Sequence, residues 1–339
     1  MTTRRHIAED VLPGHPDRLA DAVAEAVVDH AVGRDRDALV GVEVAVHRRV
    51  VFVTGRVASS PPAPVPWGEL VDDVCASAGV AAAARPNRVE TDVDEGPLDD
   101  DERGIRRFSD DQSITVGHAE GSEVTHYLPP GVHAAHTMRA TLSRVRCAHD
   151  DRLLADGKVL VRLSEECGRF VWERCNVAVQ HAEGVGFDEL HTLLVPALGE
   201  AAASLDAALP GSAESWSREI VRINGLGDFT CGGTDGDNGL SGKKLAVDFY
   251  GPMTPLGGGA MCGKDPHKVD RAGALRARQL AVRLVRGGAV RTATVWLTWL
   301  PRPRGARLDH GARGRRGMGR GAHPPRGPGA GPLDRGDLL

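Results

Sequence analysis

Residues 251–271 read GPMTPLGGGAMCGKDPHKVDR, where three consecutive glycines precede two lysines and two aspartates. Glycine lets the backbone approach a bulky anion because no Cβ stands in the way, and the N–H groups can then face its oxygens. Lys264 and Lys268 add positive charge, while Asp265 and Asp270 offer oxygen ligands to a hard cation such as Mg²⁺. This combination predicts a polyphosphate-binding site.

The same stretch fits part of a P-loop, since Gly258 to Lys264 has the spacing GxxxxGK. Asp265 then follows where a P-loop has Ser or Thr, and the flanks are rich in Gly and Pro. We therefore reject a P-loop kinase or ATPase. A second glycine-rich stretch, GGTDGDNGLSGKK at 232–244, indicates either a further part of the phosphate site or an ordinary Gly/Asp turn with solvated lysines.

Near the amino end, Gly14-His15-Pro16-Asp17 precedes a predicted helix. A helix N-terminus attracts anions, so His15 is placed to donate to a phosphate and Asp17 to hold a cation. A purely structural histidine is the alternative. The sequence DGK at 156–158 is compatible with a binding role or with a simple hairpin turn.

Hydrophobic periodicity predicts alternating helices and strands and hence a mixed class. The predicted helices are 17–32, 67–80, 133–147, 187–198 and 271–286. The predicted strands are a hairpin at 39–58 and single strands at 156–164, 168–181, 243–250 and 290–300. Residues 85–112 almost lack large apolar side chains and predict a surface loop, either a lid or a solvated acidic linker.

Composition excludes several classes of protein. The 339 residues can form two or three domains, and a net charge of −4 argues against a general nucleic-acid binder. The six cysteines have no CxxC spacing, which indicates reduced thiols. We recognise no signal peptide and no membrane span, so the sequence predicts a cytoplasmic protein.

Residues 301–339 are rich in Arg, Gly and Pro and poor in large apolar side chains. They indicate a disordered basic tail, a basic binding arm or the product of a shifted reading frame. The abrupt change after Leu300 favours the shifted frame.

Four segments together resemble the signatures of S-adenosylmethionine synthetases, in that family's order. They are EDVLPGHPDRLAD (9–21), DGKVLV (156–161), GGTDGDNGLSGKKLAVDFYG (232–251) and GGGAMCGKDPHKVDR (257–271). The resemblance covers residues 5–300. It implies an α+β fold of three βαββαβ-like units about a pseudo-threefold axis, the third one incomplete. The implied segments are 1–100, 101–222, 223–300 and a tail at 301–339.

The resemblance also implies an activity. The family joins ATP and L-methionine to S-adenosylmethionine and hydrolyses the triphosphate to phosphate and pyrophosphate, using K⁺ and two Mg²⁺ per site. Its homodimers, some of which form tetramers, hold their active sites between subunits. We therefore expect the lysines of 251–271 to lie near His15, within one chain or across a symmetric pair.

Site residues follow from the resemblance by position. The implied catalytic residues are His15, Lys158 and Lys264. The implied ATP site consists of Asp156, Lys158, Phe229, Asp237, Lys243, Lys244, Ala260 and Lys264. The implied methionine ligands are Asp237, Lys268 and Glu95, the Mg²⁺ ligands are Asp17 and Asp270, and the K⁺ ligand is Glu43. Asp111 and Gln112 match the family's Asp-Gln pair, and residues 95–110 match its gating lid.

Some positions depart from the family pattern. Arg56 stands where the family has a glutamate for the methionine ammonium, and arginine cannot accept that hydrogen bond. We expect Glu95 to face the ammonium, with Arg56 paired to Glu95 or to the substrate carboxylate. Asp228, Lys243 and Leu256 replace Arg, Arg and His. These departures keep open a catalytically impaired homologue that binds nucleotide or pairs with an active subunit. The tail alone would suit a nucleic-acid binder.

Overall fold

The computed structural model describes residues 3–106 and 108–301, and the strands within them form three separate sheets. The strands are β1 (Arg4–Val11), β2 (Leu39–His47), β3 (Val50–Ser59), β4 (Arg88–Pro97), β5 (Ser113–Glu120), β6 (Leu153–Glu166), β7 (Arg169–His181), β8 (Val221–Ile223), β9 (Gly239–Leu240) and β10 (Thr292–Trp299). The α-helices are α1 (Pro16–Val32), α2 (Trp67–Ser77), α3 (Asp100–Ile105), α4 (Pro130–Ala148), α5 (Phe187–Ser204), α6 (Ser212–Ser215), α7 (Gly233–Gly236), α8 (Leu245–Asp248) and α9 (Val269–Arg286).

The first sheet has the order β1-β6-β7-β8, with β6 antiparallel to both of its neighbours. Its central strand β6 alternates, so Val159, Val161 and Leu163 are buried while Lys158 is exposed. Helices α4 and α5 cover the buried face, where each fully buried leucine contributes about 1.5–3 kcal/mol. Val11 at the end of β1 pairs with Lys158, which places the chain after β1 beside the start of β6.

The second sheet has the order β4-β3-β2-β9. The predicted hairpin forms its centre, and the valines of β2 alternate inward against α1 and α2. The short strand β9 pairs with β2 through Ala45 and Leu240. This pairing brings the loop around residues 237–244 to the start of α1, where Leu240 N–H donates to Asp17 Oδ1 over 3.0 Å.

The third sheet contains β5 and β10, paired antiparallel and packed on α9. Gly117 allows this close packing, because a Cβ at that position would lie 2.0 Å from the carbonyl carbon of Ala277. Helix α9 begins directly after the glycine-rich stretch at 251–268. Its first turn therefore lies beside Ser113 at the start of β5.

The predicted mixed α+β class is confirmed, as are the five predicted helices and the strands at 39–58, 156–164, 168–181 and 290–300, with small shifts at their ends. The prediction of a surface loop over residues 85–112 is wrong where β4 and α3 form. Strand β4 pairs with β3 through its backbone. Its only apolar contribution to the core of the second sheet comes from the half-buried side chains of Val89 and Val93. The predicted strand at 243–250 is also wrong, because Lys244 C=O accepts from Val247 and Asp248 N–H and closes a helical turn.

The predicted boundaries after residues 100, 222 and 300 stay predictions. The pairs β1–β6 and β5–β10 each join strands from two of the predicted segments. The predicted tail falls outside the described residues from residue 302 onward. Within the described part of the chain, no helix combines the length and the apolar character that crossing a bilayer demands.

Candidate active site

His15 precedes the first residue of α1 and caps that helix. Its Nδ1 accepts a hydrogen bond from Asp17 N–H over 3.2 Å, so the neutral imidazole carries its proton on Nε2. Burial lowers the pKa of His15, although the carboxylate of Asp156 opposes that change. His15 is therefore a neutral hydrogen-bond donor near pH 7.

Gly14 sets the distance between His15 and β6. A Cβ at this position would lie 2.4 Å from the Ala155 Cβ, so the two segments meet this closely because residue 14 lacks a side chain. Asp156 follows on β6, and its Oδ2 accepts from Gly233 N–H over 2.8 Å. Burial raises the pKa of Asp156 despite that hydrogen bond.

A cavity of about 140 Å³ opens where the start of α1, β6 and the chain after β8 meet. Its lining includes five residues assigned to the ATP or catalytic sites, namely His15, Asp156, Lys158, Phe229 and Asp237. The structure thus brings together side chains from three distant parts of the sequence.

Asp17 lies in the first turn of α1 and is almost fully buried. Lys244 Nζ lies 2.5 Å from its Oδ2, and Lys243 Nζ lies 3.5 Å from its Oδ1. Burial acts to raise the pKa of Asp17, but the hydrogen bonds from Lys244 and Leu240 N–H outweigh burial and lower it. Asp17 is therefore an ionised carboxylate. We call His15, Asp17, Asp156, Lys158, Lys243 and Lys244 the helix-start cluster.

A second group of charges surrounds the glycine-rich stretch. Lys264 Nζ lies 2.6 Å from Asp270 Oδ2, and Ser113 Oγ donates to Asp270 Oδ1 over 2.7 Å. Burial would raise the pKa of Asp270, yet Lys264 and Ser113 lower it. Lys268, which precedes α9, lies 2.8 Å from Asp110 Oδ2. We call Asp110, Ser113, Lys264, Lys268 and Asp270 the glycine-loop cluster.

Glycine is required at the centre of this second cluster. A Cβ on Gly259 would lie 2.3 Å from Asp270 Oδ2 and 2.9 Å from Lys264 Nζ. The neighbouring Ala260, assigned to ATP, approaches Gly242, whose added Cβ would lie 2.7 Å from the Ala260 Cβ. The glycine-rich backbone therefore runs directly past both lysine-bearing loops.

The two clusters are neighbours through Gly242 and Ala260 but do not bond directly. No hydrogen bond or ion pair among residues 3–106 and 108–301 joins a member of one cluster to a member of the other. The expected approach of the 251–271 lysines to His15 is thus not a direct contact within one chain.

The carboxylates assigned to Mg²⁺, Asp17 and Asp270, lie in different clusters. No group of three or more His, Cys, Asp or Glu side chains that could hold a metal occurs in the described part of the chain. Asp17 and Asp270 are instead single ionised carboxylates beside lysines. Mg²⁺ commonly binds one or two carboxylates together with substrate phosphates. The residues therefore fit an ion that arrives with a polyphosphate.

The carboxylate assigned to K⁺ lies on β2. Glu43 Oε2 accepts from Ser241 Oγ over 2.7 Å, and both side chains are at the surface of the second sheet. Its role toward K⁺ stays a prediction.

The expected pairing of Arg56 with Glu95 is wrong. Arg56 lies 2.5 Å from Glu102 and 2.7 Å from Asp94. Glu95 is on the opposite face of β4 from Asp94, because successive side chains of a strand alternate. Its oxygens accept from Trp67 Nε1–H (2.9 Å) and from the N–H of residue 65 (3.2 Å). Glu95 is therefore held at the start of α2, and its methionine role stays a prediction.

Asp265 is not available as a cation ligand, contrary to the prediction. It is fully buried, lies 2.6 Å from Arg106, and accepts from Val40 N–H and His267 N–H. The Asp265 carboxylate instead joins the chain after α3 to the glycine-rich stretch through its ion pair with Arg106. Sequence reasoning missed this ion pair because Arg106 lies 159 positions from Asp265.

His181, at the end of β7, is another residue that sequence reasoning missed. Its Nε2 accepts from Phe229 N–H over 2.9 Å, and its Nδ1 lies 3.1 Å from Ala182 O. His181 N–H in turn donates to Phe229 C=O. The buried His181 therefore holds the backbone of Phe229, the aromatic residue of the cavity. Apart from the position of His181 at the end of a strand, no sequence signal indicated this role.

Known proteins are similar to this chain in sequence and in fold. Sequence models described as the S-adenosylmethionine synthetase N-terminal domain and C-terminal domain match residues 4–89 and 231–301. The S-adenosylmethionine synthases of Helicobacter pylori strain J99 and of Sulfurovum sp. strain NBC37-1 are 31% identical over 309 and 303 residues, spanning 86% of this chain and 76% of each relative. A structure titled as that of an unusual S-adenosylmethionine synthetase from Campylobacter jejuni matches with a TM-score of 0.75 at 26% identity, covering 87% of this chain and 77% of that chain.

Proposed function

This chain belongs to the S-adenosylmethionine synthetase family, and from that membership we propose that it forms S-adenosylmethionine from ATP and L-methionine. In the proposed reaction the triphosphate is released and hydrolysed to phosphate and pyrophosphate. The observation that carries the proposal is the single cavity shared by His15, Asp156, Lys158, Phe229 and Asp237.

The chemistry suits these residues. Methionine sulfur is a good nucleophile, so attack on C5′ of ATP needs alignment rather than a general base. As the S–C bond forms and the C–O bond breaks, negative charge grows on the leaving triphosphate. The Nε2–H of neutral His15 and the ammonium groups of Lys158 and Lys264 would stabilise that charge.

The other residues would bind and orient the substrates. Phe229, held by His181, offers an apolar face to the adenine ring, and Lys243 and Lys244 offer charge to the phosphates. Asp17 and Asp270 would hold Mg²⁺, which supplies further charge stabilisation to the phosphates when bound. Glu43 would hold K⁺.

We also propose a homodimer, with a tetramer as a further assembly, in which each active site combines two subunits. Among the described residues no hydrogen bond or ion pair joins the helix-start cluster to the glycine-loop cluster, which supports this arrangement because one cluster could then meet the partner's copy of the other. The three sheets support the pseudo-threefold arrangement of units, with the two-stranded sheet as the incomplete third unit.

A catalytically impaired nucleotide-binding homologue is the second candidate. It is favoured by Arg56, whose guanidinium is fully engaged by Asp94 and Glu102 where the family pattern has glutamate. Such a protein would keep the phosphate site and lose the methionine site.

Purified protein incubated with ATP, methionine, Mg²⁺ and K⁺ separates the two candidates. Chromatographic detection of S-adenosylmethionine, with one phosphate and one pyrophosphate per turnover, would support the enzyme. The variant His15→Asn should lose turnover, while the control His149→Asn, outside both clusters, should keep it. Bound ATP without product would support the impaired homologue, and neither binding nor product would refute both.

A further inference from the structure

The end of strand β7 holds the backbone of a segment that lines the cavity. His181 N–H donates to Phe229 C=O over 3.0 Å, and Phe229 N–H donates back to His181 Nε2 over 2.9 Å. Beside this pair, the side-chain Nε2–H of Gln180 donates to Thr230 C=O over 3.1 Å. We call Gln180 and His181 the β7 clamp. Its three hydrogen bonds fix the backbone of residues 229 and 230.

The ring of His181 fits this role in one neutral tautomer. Its Nδ1 lies 3.1 Å from Ala182 C=O, so the proton is on Nδ1 and the lone pair of Nε2 faces Phe229 N–H. His181 is 1% exposed, so little water is available to replace Nε2 as the acceptor. A buried N–H without an acceptor is costly, and an apolar residue at position 181 would therefore displace the Phe229 backbone.

The clamp also limits where the Phe229 ring lies. A Cβ on Gly232 would lie 2.8 Å from Phe229 Cε2 and 2.8 Å from Gln180 Cδ, so the ring and the amide both pack against the Gly232 backbone. Phe229 and Gly232 line the same cavity as His15 and Lys158. The ring therefore has a fixed place in the wall of the cavity that contains these two cationic or hydrogen-bonding groups.

We propose that the β7 clamp positions Phe229 for stacking on adenine and so sets the preference of the site for ATP over free triphosphate. This inference rests on the proposed function, in which both species occupy the site in turn. The groups proposed to bind phosphate, His15, Lys158 and Lys264, lie on other segments of the chain. Displacement of the ring should therefore weaken binding of the adenosine part and spare the triphosphate part. Gln180 and His181 are thus positioning residues.

Calorimetric titration in the presence of Mg²⁺ tests the inference. The two ligands are a non-hydrolysable ATP analogue and a non-hydrolysable inorganic triphosphate, which lacks the adenosine. The measured quantity is the dissociation constant of the triphosphate divided by that of the ATP analogue. In His181→Leu this ratio should fall about 5- to 100-fold, the range expected for a lost base–aromatic stack, with triphosphate affinity within about threefold of wild type. The control His149→Leu, just after α4, should keep the wild-type ratio.

Three further variants separate positioning from a general loss of structure. The side-chain carbonyl of glutamine can accept Phe229 N–H, so His181→Gln should keep the ratio within about threefold of wild type. Phe229→Ala should lower the ratio as His181→Leu does, and combining the two should lower it no further, because both remove the same stack. Gln180→Leu removes only the bond to Thr230 C=O and should lower the ratio about 2- to 10-fold.

A wild-type ratio in His181→Leu would overturn the inference and leave the proposed function intact. Equal weakening of both ligands, or additive losses in the double variant, would also overturn it. If His181→Leu binds neither ligand, Gln180→Leu decides, and an unchanged ratio there overturns the inference. Failure of the wild-type protein to bind the ATP analogue at all would overturn both the inference and the proposed function.

Discussion

Replacement of Asp265 by alanine should strongly destabilise the protein. The carboxylate is fully buried and lies 2.6 Å from Arg106, whose side chain is 7% exposed. It also accepts from Val40 N–H over 2.9 Å and from His267 N–H over 2.8 Å. Asp265→Ala leaves a buried guanidinium uncompensated, which costs about 3–5 kcal/mol. Two backbone donors also lose their acceptor, so the upper end of that range is expected.

Urea unfolding followed by circular dichroism measures this loss as a shift of the transition midpoint. The exposed pair Arg88–Glu90, with side chains 63% and 54% exposed, is the matched control, and Glu90→Ala should cost about 1 kcal/mol or less. The double variant Arg106→Met/Asp265→Ala should recover part of the lost unfolding free energy, because it leaves no buried charge without a partner. A midpoint for Asp265→Ala equal to that of Glu90→Ala would refute the reasoning.

Three further predictions concern packing, nucleotide binding and pH. Gly14→Ala should lower the unfolding free energy in urea by about 1–3 kcal/mol, because the added Cβ would collide with Ala155 of β6. Gly68→Ala is the control and should leave the unfolding free energy unchanged, because the space around Gly68 is open. Phe229→Ala should weaken binding of a non-hydrolysable ATP analogue by about 1–3 kcal/mol in calorimetry if the ring stacks on adenine. Burial lowers the pKa of His133 and His136, so their contribution to stability is present above pH 6.5 and is lost as pH falls through their folded values. The fall in unfolding free energy from pH 7 to 5 should therefore shrink in the variant His133→Gln/His136→Gln.

Strong periodicity made most elements predictable. The apolar spacing of α1 and the alternation in β2 each specify one buried face, and both elements form as predicted. Strand β4 was missed because an edge strand pairs through its backbone and needs few apolar side chains. The turn α8 was missed because local hydrogen bonds to Lys244 C=O decide it, and a run of apolar residues does not reveal them.

The coincidence of charge and glycine in the sequence indicated where the two charged clusters form. Asp17 does pair with Lys244, and Lys264 pairs with Asp270, but the role of these residues and of His15 in phosphate binding stays a prediction. The partners of Arg56, Glu95 and Asp265 depend instead on how β4 and the chain after α3 fold back, which a single sequence does not encode locally. Asp94 and Glu95 are neighbours on β4, yet Asp94 pairs with Arg56 and Glu95 accepts from Trp67. Residue type alone could not assign these partners.

The lysine–carboxylate pairs have a thermodynamic consequence. Lys244 forms an ion pair with Asp17, and Lys264 forms one with Asp270. Under the proposed function, a polyphosphate that draws these lysines to its own oxygens would release both carboxylates, and these would then be able to accept divalent cations. Binding of the nucleotide and binding of the cations should thus be linked, and each should raise the affinity of the other by the same factor.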